Sequence, residues 1–365
     1  MVKVQKFLFT AAVLALTTPG SVRAEDSGSI TACIAASEIV PTCEFSKPED
    51  IEVLGPLLVI SEYGSLLGDK PGRIVTYEPQ TGLRRALYPN ADATLPATLW
   101  GDKACTQPPG NLFSPHGIHH APGPQADRLL VVNHGGREAV EIFEIANASD
   151  PELVSLTWRG CVPMPEGTWM NDVAGLPDGG FVATHMVEKA LPEEALLAAE
   201  IARSNTGWVL EWHPETGIRK LEGSDGSLPN GIEVSSDGNT VFVNEYFGDK
   251  VVAVNRNNGQ RLWEASLSAP DNSSWSTNGM LLVASHAADL HAVQKCNERA
   301  MTPCALPYVV AALDPATGHT TELFAGGIDD PMGAATVAVE LGDHLYLGSF
   351  VGDRMIRIPR PDALH

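Results

Sequence analysis

Short apolar runs recur along the chain, each closing on a small polar residue: LLVISEYG, LLVVNHGG, FVATHMVE, VFVNEYFG, LLVASHAA and LYLGSFVG. The closing residues are Ser61, Asn133, Thr184, Asn244, Ser285 and Ser349, at steps of 72, 51, 60, 41 and 64. A second strand-like run follows each one: RIVTYEP, AVEIFEI, WVLEWHP, KVVAVNR, YVVAALDP and RMIRIPRP. Four of these lead into a related turn, EPQTG, HPETG, RNNG or DPATG. Strand, turn and strand repeat six times at about 57 residues per copy, which predicts an all-β, six-bladed β-propeller. A β-sandwich gives no reason for such repetition, and a doubly wound α/β fold needs helices between its strands. One helix-rich insertion, residues 188–205, interrupts the pattern and reads as a lid over a channel mouth or a surface excursion.

The stretch LPNGIEVSSDGNTVFVNEYFG places Asn230 and Gly231 before an alternating run, then a turn at Asp237-Gly238 and a strand from Thr240 to Asn244. An isolated Asn-Gly is a turn former. Twelve to seventeen positions before five of the closing residues, however, stand Glu49, His116, Asn171, Asn230 and Asn272. The innermost strands of a propeller line a central channel, so repeat-equivalent side chains converge on its axis. Glu49, Asn171, Asn230, Asp271 and Asn272 offer carboxylate and amide oxygens and no thiolate. Such a set suits Ca²⁺ better than Zn²⁺ or Cu²⁺, giving a central-channel metal site. The alternative is that these asparagines satisfy backbone groups at the channel end.

Residues 1–24 combine Lys3 and Lys6, an apolar core from Phe7 to Leu16, and small residues before Ala24, the pattern of a cleaved export signal. Residues 25–365 then form a single propeller domain, periplasmic or extracellular, with no transmembrane segment. The formal net charge of −21 grows more negative when Lys3, Lys6 and Arg23 leave, and such a surface repels nucleic acid. Six cysteines in an exported chain suit disulfides. Cys33 with Cys43 and Cys296 with Cys304 are neighbours, which would leave Cys105 with Cys161, although the sequence admits fifteen pairings. No GxSxG elbow, phosphate loop or dinucleotide fingerprint occurs. His116, His119 and His120 form HGIHH, but Pro115, Pro122 and the following strand oppose a helical zinc site.

SPHGI, LLVVNH, MNDVAGL, LPNGIEVSSDGNTVFVNE, APDN and LVASH follow the order of motifs in the paraoxonases, and the chain resembles that family from about Pro48 to Phe350. The paraoxonases sit in a lactonase superfamily with gluconolactonase and regucalcin. The resemblance implies a catalytic calcium at Glu49, Asn171, Asn230, Asp271 and Asn272. It also implies a structural calcium at Asp50, Asp172 and the carbonyl of Ile118, and a water-activating pair, His116 and His134. The implied activity is hydrolysis of a small-molecule lactone or activated ester. The family's disulfide between the two ends of the chain is missing here, so ring closure must rest on strand pairing. The family's Asn-Asp-His run is here Thr184-His185-Met186, and the insertion is unlike in sequence, so the family's substrates do not carry over. The rival readings are a sugar lactonase and a non-catalytic binding propeller braced by calcium.

Overall fold

A computed structural model describes residues 32–90, 98–123, 126–299 and 301–364. The export segment expected at residues 1–24 lies outside them. A three-residue strand, β1 (Val40–Thr42), precedes six sheets. The first contains β2 (Pro48–Leu54), β3 (Leu57–Glu62), β4 (Arg73–Tyr77) and β5 (Arg84–Tyr88). In the second, a two-residue strand β6 (Trp100–Gly101) lies parallel to the outer edge of β7 (Pro115–Ala121), β8 (Arg128–Asn133), β9 (Ala139–Ala146) and β10 (Ser155–Pro163). The third is β11 (Met170–Gly175), β12 (Phe181–His185), β13 (Trp208–His213) and β14 (Gly217–Lys220). The fourth is β15 (Pro229–Val234), β16 (Thr240–Glu245), β17 (Lys250–Asn255) and β18 (Arg261–Ser266). The fifth is β19 (Pro270–Trp275), β20 (Leu281–His286), β21 (Tyr308–Leu313) and β22 (Thr320–Gly326). The sixth comprises β23 (Ala335–Leu341), β24 (His344–Ser349) and β25 (Met355–Pro359), with β1 as its outer strand. The arrangement is a six-bladed β-propeller, as the repeats predict, and β1 pairs antiparallel with β25 to close the ring.

The six recurring phrases are the second strands and their partners the third strands. Alternation explains how one strand serves two interfaces. Leu129 and Val131 of β8 pack toward the first blade, whereas Leu130 and Val132 pack toward the third. The same division gives an apolar core between every pair of neighbouring blades, six in all around the ring. The four related turns end on Gly82, Gly217, Gly259 and Gly318, all at φ of 71–76°, where a side chain would be strained. The two neighbouring cysteine pairs, Cys33–Cys43 and Cys296–Cys304, and the remaining pair, Cys105–Cys161, are disulfides.

The insertion contains α1 (Glu193–Ala202), with Glu193 and Glu194 in its first turn, where acidic side chains oppose the helix dipole favourably. A second helix, α2 (Leu290–Asn297), lies between β20 and β21 and was not expected; Asp289 caps it by accepting the Ala292 amide. Its apolar positions are too few to announce it, and the nearby Cys296–Cys304 bond holds it instead. The two helices meet beside the fourth blade. Leu196 of α1 and Leu290 of α2 pack with Tyr246 and Phe247, and the Leu290 amide donates to Glu200 at 3.0 Å.

Candidate active site at the channel mouth

The innermost strand of every blade breaks register near its start. Pairing skips Glu49 in β2, His116 and Gly117 in β7, Asn171 and Asp172 in β11, Asn230 and Gly231 in β15, Asp271 and Asn272 in β19, and Thr336 in β23. A bulge leaves its residues out of the ladder and re-aims their side chains. Asn230-Gly231 is therefore not a turn ahead of the strand but a bulge within it. Gly231 is required there because a Cβ would run into the Asp271 carbonyl of the next blade. The polar residues closing the second strands brace these bulges. Thr184 Oγ1 donates to the Asn230 carbonyl at 2.6 Å, and Asn244 Nδ2 reaches the Asp271 carbonyl and, at 2.8 Å, Ser273.

Glu49, Asn171, Asn230, Asp271 and Asn272 are all buried, each at the register break of its blade's innermost strand. Asn272 Nδ2 donates to Glu49 Oε1 at 2.9 Å, and Asn230 hydrogen-bonds Asp271. Glu49 Oε2 and the Oδ1 atoms of Asn171, Asn230 and Asn272 have no hydrogen-bond partner. Buried oxygens are rarely left so, because each loses its hydration without compensation. Burial, then the charge of Asp271, pushes the Glu49 carboxyl well above its usual range, and burial raises Asp271 to about 8. Four orphaned oxygens among two unneutralised carboxyls fit a hard divalent cation, the group expected from their chemistry.

Asp50 and Asp172 differ. Asp50 accepts the amides of Ile51 at 2.8 Å and Ile118 at 2.6 Å, and Asp172 those of Val173 at 2.7 Å and Ile232 at 2.9 Å. Each thus ties its own bulge to the next blade, and each carboxyl is still raised well above normal, first by burial and then by the neighbouring acid. Ile118 is the first paired residue after its bulge.

His116 and His134 meet, Nδ1 to Nε2, at 3.0 Å. His116 Nε2 lies 3.7 Å from Glu49 Oε1, and the Tyr63 ring stands 4.8 Å from the imidazole. Burial first, then the charges of His134 and Lys47, holds His116 well below 6.5, so it is a neutral imidazole at neutral pH. His185, in the position where the resemblance departs, packs with its ring tilted 59° to that of Trp208 at 4.4 Å and accepts the Trp169 amide at 3.2 Å. Met186 Sδ takes the Asn171 amide at 3.6 Å, which leaves Asn171 Oδ1 pointing elsewhere.

HGIHH is split by the strand. His119 lies toward the opposite mouth with Glu52 at 3.3 Å and Glu233 at 3.9 Å, while His120 faces Asp127 at 3.3 Å. A cavity of about 900 Å³ opens there, lined by Glu52, His119, Glu233 and Trp275. Burial acts most strongly on His119, yet its hydrogen bond to Glu52 and the charges of Glu233 and Glu52 outweigh it and raise the imidazole to about 9. The orphaned oxygens, not this cavity, mark the candidate site. The sequence reading missed Thr336, the sixth blade's bulge residue, whose hydroxyl donates to the Glu49 carbonyl.

No protein-family model and no curated protein matches the chain. Solved structures do. A gluconolactonase from Xanthomonas campestris is 18% identical with a TM-score of 0.51, covering 88% of this chain and 89% of its own. A luciferin-regenerating enzyme is 13% identical with a TM-score of 0.51, covering 87% and 95%. Virginiamycin B lyase from Staphylococcus aureus is 12% identical with a TM-score of 0.51, covering 88% and 98%. These establish the fold. Their different names show why the fold alone does not choose an activity.

Proposed function

We propose that the protein is an exported, calcium-dependent hydrolase of lactones or activated esters, such as aryl esters. The observation that carries this reading is the set of four partnerless buried oxygens beside a hydrogen-bonded pair of buried histidines. Glu49, Asn171, Asn230, Asp271 and Asn272 would hold the ion. Bound there, calcium supplies Lewis-acid polarisation of a carbonyl oxygen. His116 has the placement of a general base for water, since its Nε2 faces the ring and its imidazole is unprotonated at neutral pH. His134 orients it from behind. Tyr63, packed on His116, and Phe350, 5.7 Å from His286, favour an apolar acyl or alkyl group over a polyhydroxylated sugar ring. A second calcium at Asp50, Asp172 and the Ile118 carbonyl would be structural, relieving the repulsion between the two buried carboxyls. Three disulfides, and no helix long and apolar enough to cross a membrane among the described residues, support an exported protein.

His116→Gln tests the assignment. It should lower kcat on a hydrophobic lactone by roughly 100- to 10,000-fold with calcium affinity retained. Wild-type turnover in the variant would remove His116 from the chemistry. A calcium-loaded wild type inert toward lactones, aryl esters and sugar lactones alike would favour the binding-propeller reading.

A further inference from the structure

The hydrogen bonds behind His116 end on a residue outside the motifs that suggested the site. Glu138 follows the NHGGR loop and directly precedes β9. Its Oε1 lies 3.0 Å and its Oε2 3.2 Å from His134 Nδ1. Oε1 also accepts the amide of Met170, next to Asn171, at 2.8 Å, and Oε2 takes Lys189 Nζ of the helical insertion at 3.1 Å. The side chain is only 10% exposed. Burial alone would raise this carboxyl, but His134, the Met170 amide and Lys189 together outweigh it and hold the pKa below the usual value. Glu138 is therefore an ionised acceptor at neutral pH.

An ionised carboxylate can only accept, so His134 Nδ1 must carry a proton toward it. With a single proton on the His134 ring, Nε2 is a lone pair, and the 3.0 Å contact then places the proton on His116 Nδ1. His116 Nε2, facing Glu49, is left unprotonated. One carboxylate two imidazoles away thus decides which nitrogen is basic at the channel axis.

We propose that Glu138 is a positioning residue. It fixes His134, and through it His116, in the tautomers that present a basic Nε2 to the substrate water, and it ties this relay to the insertion through Lys189. The inference rests on the hydrolase reading. As water attacks, its oxygen bonds to the carbonyl carbon, the C=O π pair moves onto the carbonyl oxygen until the leaving group departs, and one O–H bond breaks, the proton going to His116 Nε2. The proton on His116 Nδ1 passes to His134 Nε2, so positive charge settles beside Glu138. When the C–O bond to the leaving group breaks, the protons return along the same path and the alkoxide takes the one from His116 Nε2.

Nitrogen-detected NMR of the histidine rings in the full, calcium-loaded chain, together with kinetics of Glu138→Gln, provides the test. His134 should show a protonated Nδ1 and an unprotonated Nε2 in the wild type, and Glu138→Gln should lose that pattern. Its kcat should fall on the order of 100-fold or more, with KM and calcium affinity within about twofold. A wild-type His134 protonated on Nε2 alone overturns the proposal, as does a folded Glu138→Gln variant that keeps wild-type kcat. If Glu138→Gln does not fold, the wild-type spectrum decides. If the wild type hydrolyses no lactone or ester, the hydrolase reading fails, while the spectrum still decides whether Glu138 sets the tautomers.

Discussion

Asn171, Asn230 and Asn272 keep buried side-chain oxygens free although each has an amide group able to find neighbours, and Glu49 does the same with one carboxylate oxygen. A bound ion would convert that cost into binding energy. Glu49→Gln or Asn230→Ala should weaken calcium by roughly 100-fold or more, since even partners outside the coordination sphere cost 10- to 100-fold; a calorimetric titration in competition with a chelator measures it. Asp172→Asn should leave this site and remove only the second ion from the stoichiometry. The carboxyls would also link calcium binding to pH. With folded-state values raised to about 8 for Asp271 and well above normal for Glu49, the calcium-free fold retains protons that the unfolded chain releases near pH 4. Stability from these groups is lost as pH rises from about 4 to about 8. Calcium bound at these carboxyls would displace the protons, so the gap in Tm between loaded and calcium-free protein should widen from pH 5 to pH 8. A gap that narrows would show that these carboxyls are not the ligands.

The bulged inner strands join the residues to the fold. The six second strands were legible because Val, Leu and Ile alternate with little interruption there, as in LLVVN and VFVNE. The inner strands were legible only through their spacing, since Asn, Asp, Gly and Pro argue against strand when read locally. Asn230-Gly231 shows the conflict: local chemistry says turn, and neighbouring blades impose a bulge. Thr336 stayed hidden because a threonine in AATVAVE carries no chemical signal. Glu138 stayed hidden because its role depends on His134 and Lys189 meeting across blades. Gly231→Ala should destabilise the protein by about 2–4 kcal/mol and weaken calcium along with it, because the added Cβ pushes on the Asp271 carbonyl. Equal denaturation midpoints for the two proteins would mean that the bulge yields freely.

At the scale of the whole molecule, the ring is closed by three residues. Val40, Pro41 and Thr42 pair with Arg357, Ile356 and Met355, and the Cys33–Cys43 bond anchors the segment that carries them. Removing the chain through Thr42 should lower Tm by at least about 5 °C, as differential scanning calorimetry would read, because the sixth blade then exposes an edge. An unchanged Tm would place closure elsewhere. The axis is common to all six blades, so an ion held by blades one, three, four and five would brace the ring as well as carry out chemistry.

The central claim is that one oxygen-lined site both binds calcium and hydrolyses an apolar lactone or ester. The most direct measurement follows turnover of a hydrophobic δ-lactone while calcium is stripped with a chelator and then restored. The account predicts that hydrolysis disappears with the ion and returns with it. Turnover that persists without calcium, or none with calcium bound, would contradict it.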